Sequence, residues 1–200
     1  MADFKGRGLQ IAVNTALSAA LIFSIADSAE AKARKKKRIH YHPAPERLAI
    51  ISIDADTNEV LNSQYADELR HPASLTKVMT LYMLFDALED GKLKLDDRIP
   101  ISVNASRQAP TKLGAPAGTS ISVEQAIYGL VIQSANDVAT AVAEKLGGTE
   151  GKFASMMTAK GRELGMEKTV FVNASGLPDV RQVTTARDIA TLSQAIMRNH

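Results

Sequence analysis

The sequence predicts an α+β fold, an N-terminal β-hairpin followed by a mainly helical domain. Three observations predict it. Two short β-branched runs flank a turn-forming stretch at residues 54–58, five later segments carry helical spacing or caps, and no internal repeat is present. Two hundred residues allow one domain with a tail, and a hydrophobic fraction of 45% is that of an ordinary globular core.

Residues 48–53, Leu-Ala-Ile-Ile-Ser-Ile, read as the first strand. Asp54-Ala-Asp-Thr-Asn58 is turn chemistry, and Glu59-Val-Leu-Asn62 returns as the second strand. From Ser74 to Leu88 apolar residues surround most of a helix rather than one stripe, which predicts a helix in the middle of the domain. Glu89-Asp-Gly-Lys92 ends it. Residues 98–103 suggest a short extended segment, and residues 104–120, rich in Ser, Ala, Gly and Pro, are expected to be irregular. Ser122 with Gln125 three residues on resembles a capping box opening a helix through Ile132. A break at residues 133–136 precedes a helix over 137–146, stopped by Gly147-Gly148. A further helix over 149–164 ends at Gly165, residues 169–172 are extended, and residues 173–179 form a turn-rich loop. The last helix spans 185–200, with Asp188 in its first turn.

The first 46 residues read differently. Lys5 and Arg7 precede a mostly apolar run over 11–25, and Ala29-Glu30-Ala31 is a small-x-small cleavage pattern. That order is the grammar of a secretory signal peptide over residues 1–31, and Asn14, Thr15 and Ser18 make the run a poor membrane span. The mature chain is expected to begin near Lys32 and to work in the periplasm or cell envelope. Residues 32–46 form a basic linker whose block Lys32, Arg34, Lys35, Lys36, Lys37 and Arg38 reads as a solvated arm. Such an arm makes weak contact with anionic membrane lipid or wall polymer. Nucleic-acid binding is not expected, since no fold motif or aromatic interleaving accompanies the charges. With no cysteine, neither a disulfide nor a thiolate metal site can form. His40 and His42 lack a third ligand close in sequence, so no metal site is expected.

Chemistry concentrates at Pro72-Ala73-Ser74-Leu75-Thr76-Lys77, at the start of the central helix. A serine three residues ahead of a lysine on one helical face is a nucleophile beside its base. A lysine one turn into a buried helix is partly desolvated, which lowers its pKa and favours the neutral amine. Alone the pair is weak, because a helix-capping serine followed by a surface lysine has the same spelling. A second motif, Ser134-Ala135-Asn136, falls between two predicted helices. There the hydroxyl can relay a proton and the carboxamide can hold a substrate amide with one donor and one acceptor. Asn136 also reads as an N-cap for the helix that follows. Ser102-Val103-Asn104 repeats the pattern at the end of an extended segment and is taken as a decoy.

The chain resembles the low-molecular-weight penicillin-binding proteins, serine D-alanyl-D-alanine carboxypeptidases of peptidoglycan. The resemblance runs over about residues 47–200. It rests on Ile53-Asp-Ala-Asp-Thr-Asn-Glu-Val60, Arg70-His-Pro-Ala-Ser-Leu-Thr-Lys-Val-Met-Thr80, Gly129-Leu-Val-Ile-Gln-Ser-Ala-Asn-Asp137, Asn173-Ala-Ser-Gly-Leu-Pro178 and Thr184-Thr-Ala-Arg-Asp188. It implies a β-lactamase/transpeptidase-like domain, with Ser74 attacking the carbonyl between two terminal D-alanines and Lys77 accepting its proton. Ser134 would pass a proton to the leaving D-alanine and Asn136 would position the acyl portion. Stem peptides would be substrates, β-lactams covalent inhibitors, and no cofactor is needed. The family's third motif, Lys-Thr-Gly, would follow residue 200; Lys168-Thr169-Val170 comes too early to replace it. The expectation is therefore an incomplete domain, the N-terminal part of such an enzyme. Loss of one oxyanion donor costs about two to three orders of magnitude in rate. A serine β-lactamase would carry a Glu-x-x-x-Asn beyond Asn136, and none occurs. A D,D-endopeptidase, or a non-catalytic wall-binding module using the same groove, are the alternatives.

Overall fold

The structure, a computed structural model, describes residues 48–200; the expected signal segment (1–31) and basic linker (32–46) lie outside the described residues. Strands β1 (Ile50–Ile53) and β2 (Val60–Gln64) pair antiparallel, Ile50 opposite Gln64, with a bulge at Ser52/Ile53. The turn between them forms because Asp54 Oδ1 accepts from the backbone of Asp56 (3.0 Å) and Thr57 (2.8 Å) while Asn58 adopts a left-handed φ of 63°. Those donors hold the Asp54 carboxyl below its ordinary pKa.

The central helix α1 (Thr76–Glu89) buries Met79, Leu81, Tyr82, Met83, Leu84 and Ala87. It begins two residues later than the apolar pattern predicts. Residues Ala73–Leu75 form a separate 3₁₀ turn, because Ala73 takes φ 47° and cannot join the α-helical ladder. Residues 98–103 are not one extended segment. Strand β3 (Arg98–Pro100) stops at Pro100, and Ser102 then caps the short helix α2 (Val103–Ser106), accepting from Ala105 N at 2.9 Å. The stretch expected to be irregular also ends in a strand, β4 (Ser120–Ser122), which pairs antiparallel with β3.

Ser122 and Gln125 form the reciprocal capping box of α3 (Val123–Gln133). Helices α4 (Asn136–Gly147), α5 (Glu150–Leu164) and α6 (Ala186–Asn199) follow. Thr149 and Thr185 are side-chain N-caps, and Gly165 ends α5 in the left-handed region. Extended pairing after α5 is limited to the bridges Val170–Val183 and Arg70–Thr184, because turn residues interrupt the run at Asn173. The core lies around α1, with Val138 and Val142 from α4, Phe153 and Met157 from α5 and Leu192 from α6. At Gly147 an added Cβ would lie 2.7 Å from Phe153 Cβ, so the α4–α5 turn closes only over glycine. Among the described residues no helix is long and apolar enough to cross a membrane.

Candidate active site

The start of α1 carries the first motif. Pro72 is buried, Leu75 N donates to its carbonyl at 3.1 Å, and Ser74 is left exposed on the turn that leads into the helix. No acidic side chain occupies the first turn of α1, so the positive end of its dipole is free to act on charge developing near Ser74. One turn on, Lys77 is buried at 3% exposure, and its Nζ donates to the Ser175 carbonyl at 2.5 Å. Burial pushes its pKa down from 10.5 to about 8. The lysine one turn into the helix is thus buried, with its pKa lowered by desolvation.

Residues 173–182 hold that lysine from the other side. The Asn173 Oδ1 accepts from Gly176 N (2.7 Å), Ser175 N (3.2 Å) and Ser175 Oγ (3.3 Å), folding the loop on itself. Thr80 Oγ1 donates to Ala174 O at 2.8 Å, and Glu150 Oε1 on α5 accepts from Ala174 N at 3.1 Å. Gly176, at φ 87°, comes so close to the Ser74 turn that a Cβ there would lie 1.8 Å from the Ala73 carbonyl oxygen. A groove of about 400 Å³ opens beside this contact, lined by Pro72, Ala73, Leu177, Pro178 and Val180.

The second motif lies at the junction of α3 and α4. Ser134 ends α3 with φ 52° and ψ 41°, the left-handed backbone that breaks the helix. Asn136 is the first residue of α4 and is buried; the cap position belongs to Ala135, so the carboxamide is not an N-cap. Its Nδ2 donates to Ala109 O at 2.9 Å, and its backbone N to Thr111 O at 2.8 Å. Asp137 anchors the same loop, accepting from Leu113 N (2.9 Å) and Gly114 N (2.8 Å). Among the described residues, two of the four non-glycine residues with positive φ, Ala73 and Ser134, stand at the two motifs, and stored backbone strain is characteristic of functional sites. Among the described residues, no hydrogen bond links any two of the Ser74, Lys77, Ser134 and Asn136 side chains. At the decoy, Ser102 caps α2 and Asn104 Nδ2 bonds Glu144 Oε1 at 3.0 Å.

The family model for D-alanyl-D-alanine carboxypeptidases (peptidase S11) matches residues 37–200. The chain belongs to the D-alanyl-D-alanine carboxypeptidase family. It is 31% identical over 186 residues to the D-alanyl-D-alanine carboxypeptidase DacF of Bacillus subtilis, covering 93% of this chain and 47% of that protein. The crystal structure of the carboxypeptidase DacD from Francisella tularensis superposes with TM-score 0.74 at 36% identity, over 82% of this chain and 40% of that one. Penicillin binding protein 5 from Haemophilus influenzae does so with TM-score 0.73 at 30% identity, over 76% and 45%. The chain spans about half the length of the curated relatives it matches. The carboxypeptidase resemblance and the transpeptidase-like fold expected from the motifs are both met.

Sequence reasoning named the Asn173–Pro178 segment as part of the family likeness and missed its task. Ser175 offers a backbone carbonyl, which no residue type advertises, and Gln182 is fully enclosed 106 positions from the Thr76 it contacts. Among the described residues no group of three His, Asp or Glu side chains is arranged to hold a metal.

Proposed function

We propose that this chain supplies the nucleophile and base of a serine-type D-alanyl-D-alanine carboxypeptidase. The enzyme removes the terminal D-alanine of peptidoglycan pentapeptides. The observation that carries the reading is the exposed Ser74 one helical turn before a buried Lys77 whose pKa is lowered to about 8. At pH 7 about a tenth of such a lysine is neutral and able to accept a proton.

In the first half-reaction the Ser74 Oγ–carbon bond forms, the amide C–N bond breaks, and the Ser74 proton goes to Lys77. Lys77 gives that proton up through Ser134 to the departing D-alanine amine, and Asn136 holds the acyl portion by its carboxamide. Water then adds to the ester, its hydroxyl going to the acyl carbon and its proton to Lys77, and as the Oγ–carbon bond breaks Lys77 passes that proton to Ser74. A β-lactam acylates Ser74 in the same way, but its amine stays tethered after ring opening and deacylation is slow. The penicillin-binding name of one structural relative supports that inhibitor class. Export through residues 1–31, action in the periplasm or cell envelope, and contact of the basic arm (32–46) with membrane or wall polymer belong to the same reading. The family match favours the carboxypeptidase over the endopeptidase.

The test is the intact mass of the purified protein after incubation with a penicillin, beside Ser74→Ala. One adduct on the wild type and none on Ser74→Ala is expected. A folded wild type that gains no adduct, or an adduct that persists in Ser74→Ala, overturns the assignment. Release of D-alanine from a linear pentapeptide, set against cleavage of a crosslinked dimer, then fixes the substrate.

A further inference from the structure

Gln182 lies far from both motifs in sequence and is 2% exposed. Both ends of its carboxamide are engaged. The Oε1 accepts from Val172 N at 2.9 Å and Asn173 N at 3.0 Å. The Nε2 faces Thr76 Oγ1 and Asn173 Oδ1, each at 3.4 Å. Its backbone carbonyl accepts from His71 Nδ1 at 2.7 Å. One side chain thus bridges the residue next to Lys77 and the asparagine that folds the Ser175 loop.

We propose that Gln182 is a positioning residue, whose carboxamide clamps the 173–176 loop onto the start of α1 and so sets where the Lys77 amine stands. The proposal rests on the Ser74/Lys77 reading above. Removing the clamp frees the Ser175 carbonyl from its place over Lys77 and admits water to the amine. Titratable groups on the surrounding elements include His71 ahead of Ser74, Asp137 on α4, Glu150 on α5, Asp188 on α6, and Asp179 and Arg181 between the loop and Gln182. Asp179 and Arg181 pair with each other at 2.7 Å, the others are held by Gln182 O, Leu113 N and Gly114 N, Ala174 N, and Lys168 N, and none bonds Lys77. With no carboxylate bound to it, Lys77 owes its lowered pKa to burial, so hydration moves its titration upward, toward 10.5.

The experiment follows the ¹³Cε resonance of Lys77, assigned by its loss in Lys77→Arg, against pH in the wild type and in Gln182→Met. Methionine matches glutamine in length and carries neither polar end. The wild-type midpoint is expected near 8, and in Gln182→Met about one pH unit higher. That rise cuts the neutral fraction at pH 7 about tenfold, and penicillin acylation of Ser74 at pH 7 slows by the same factor. A residue that only stabilises the fold lowers the melting temperature and leaves the midpoint unmoved. A folded Gln182→Met with an unmoved midpoint therefore overturns the proposal, as does a wild-type Lys77 titrating near 10.5. Where Gln182→Met fails to fold, the isosteric Thr76→Val cuts only the arm to α1. It is expected to raise the midpoint by about half a pH unit and slow acylation about threefold, and no rise refutes the clamp. A wild type that gains no penicillin adduct removes the carboxypeptidase reading and leaves the titration to decide the role of Gln182 by itself.

Discussion

Replacing Gly176 by alanine puts a methyl group where the Ala73 carbonyl already stands. The Cβ would lie 1.8 Å from Ala73 O and 2.4 Å from Ala73 C, both backbone atoms. Contacts below 3.0 Å are essentially never adopted, so the loop and the Ser74 turn must part by at least 3.0 − 1.8 = 1.2 Å. The left-handed backbone at φ 87° adds its own penalty once a Cβ is present. Strain of about 1–2 kcal/mol and overpacking of about 1–3 kcal/mol together give about 2–5 kcal/mol. With a urea slope of about 2 kcal/mol per molar, the unfolding midpoint should fall by about 1–2.5 M. The displaced atoms belong to the residue bonded to the nucleophile, and a misplacement of about 1 Å can cost about a hundredfold in rate. Urea unfolding followed by circular dichroism, and the rate of penicillin acylation, are the two readouts. A Gly176→Ala protein with an unchanged midpoint and an unchanged acylation rate would refute the reasoning, because it would mean that the loop does not press on the Ser74 turn.

Lys77→Met is expected to abolish acylation and yet stabilise the fold near pH 7. The native pKa of about 8 lies 10.5 − 8 = 2.5 below the ordinary one, an order-of-magnitude cost of about 3 kcal/mol for keeping the ammonium buried. The lost bond to Ser175 O offsets about 1 kcal/mol of it, leaving a gain of about 2 kcal/mol. The sign follows from proton binding: between pH 8 and 10.5 the unfolded chain binds more protons, so wild-type stability rises through that window and the advantage of methionine fades. Urea melts at pH 7 and pH 10 measure both ends, and an advantage that grows with pH contradicts the burial argument. Asp137→Ala removes the carboxylate that accepts from Leu113 N and Gly114 N, and should cost about 3 kcal/mol. It should also speed tryptic cleavage at Arg107 and Lys112 in the loop that meets Asn136, whereas an unchanged digestion pattern would detach that loop from Asp137.

Local signals carried most of the fold. The Asp54 turn, the Ser122–Gln125 box, the helix starts near Thr149 and Thr185 and the stop at Gly165 are each set within four or five residues, and each is found where the residues predict it. What escaped depends on distance. Strand β4 and its pairing with β3, which sets Arg98 opposite Ser122, escaped because β4 is three residues long, too short for a period to register, and lies too far from β3 for a hairpin signal. The left-handed backbone at Ala73, which separates Ser74 from the helix proper, runs against alanine's own preference and stands against Gly176, 103 positions away. At the site, residue chemistry pointed to Ser74, Lys77, Ser134 and Asn136, because nucleophile, amine and carboxamide are legible as letters. The Ser175 carbonyl that Lys77 meets is a backbone atom and is not.

Ser74 and Lys77 are three positions apart, yet Lys77 Nζ bonds a carbonyl 98 residues away. A helical turn alone brings the two groups onto one face, but in water it leaves the ammonium solvated and protonated at neutral pH. Desolvation is a tertiary effect, to which residues 173–182 contribute through Ser175 O on Lys77, Thr80 bonding Ala174 O, Gln182 reaching Thr76 and Gly176 closing on Ala73. On the proposed reading, Lys77 is therefore silent as a base in any state that has the helix without the loop, and Ser74 depends on tertiary structure for its activation. The spacing that a sequence search finds supplies the two groups; the proposed clamp would supply the proton affinity that lets Lys77 act as a base. An acylated Ser74, the adduct sought by intact mass, would then report a docked loop and not merely a formed helix.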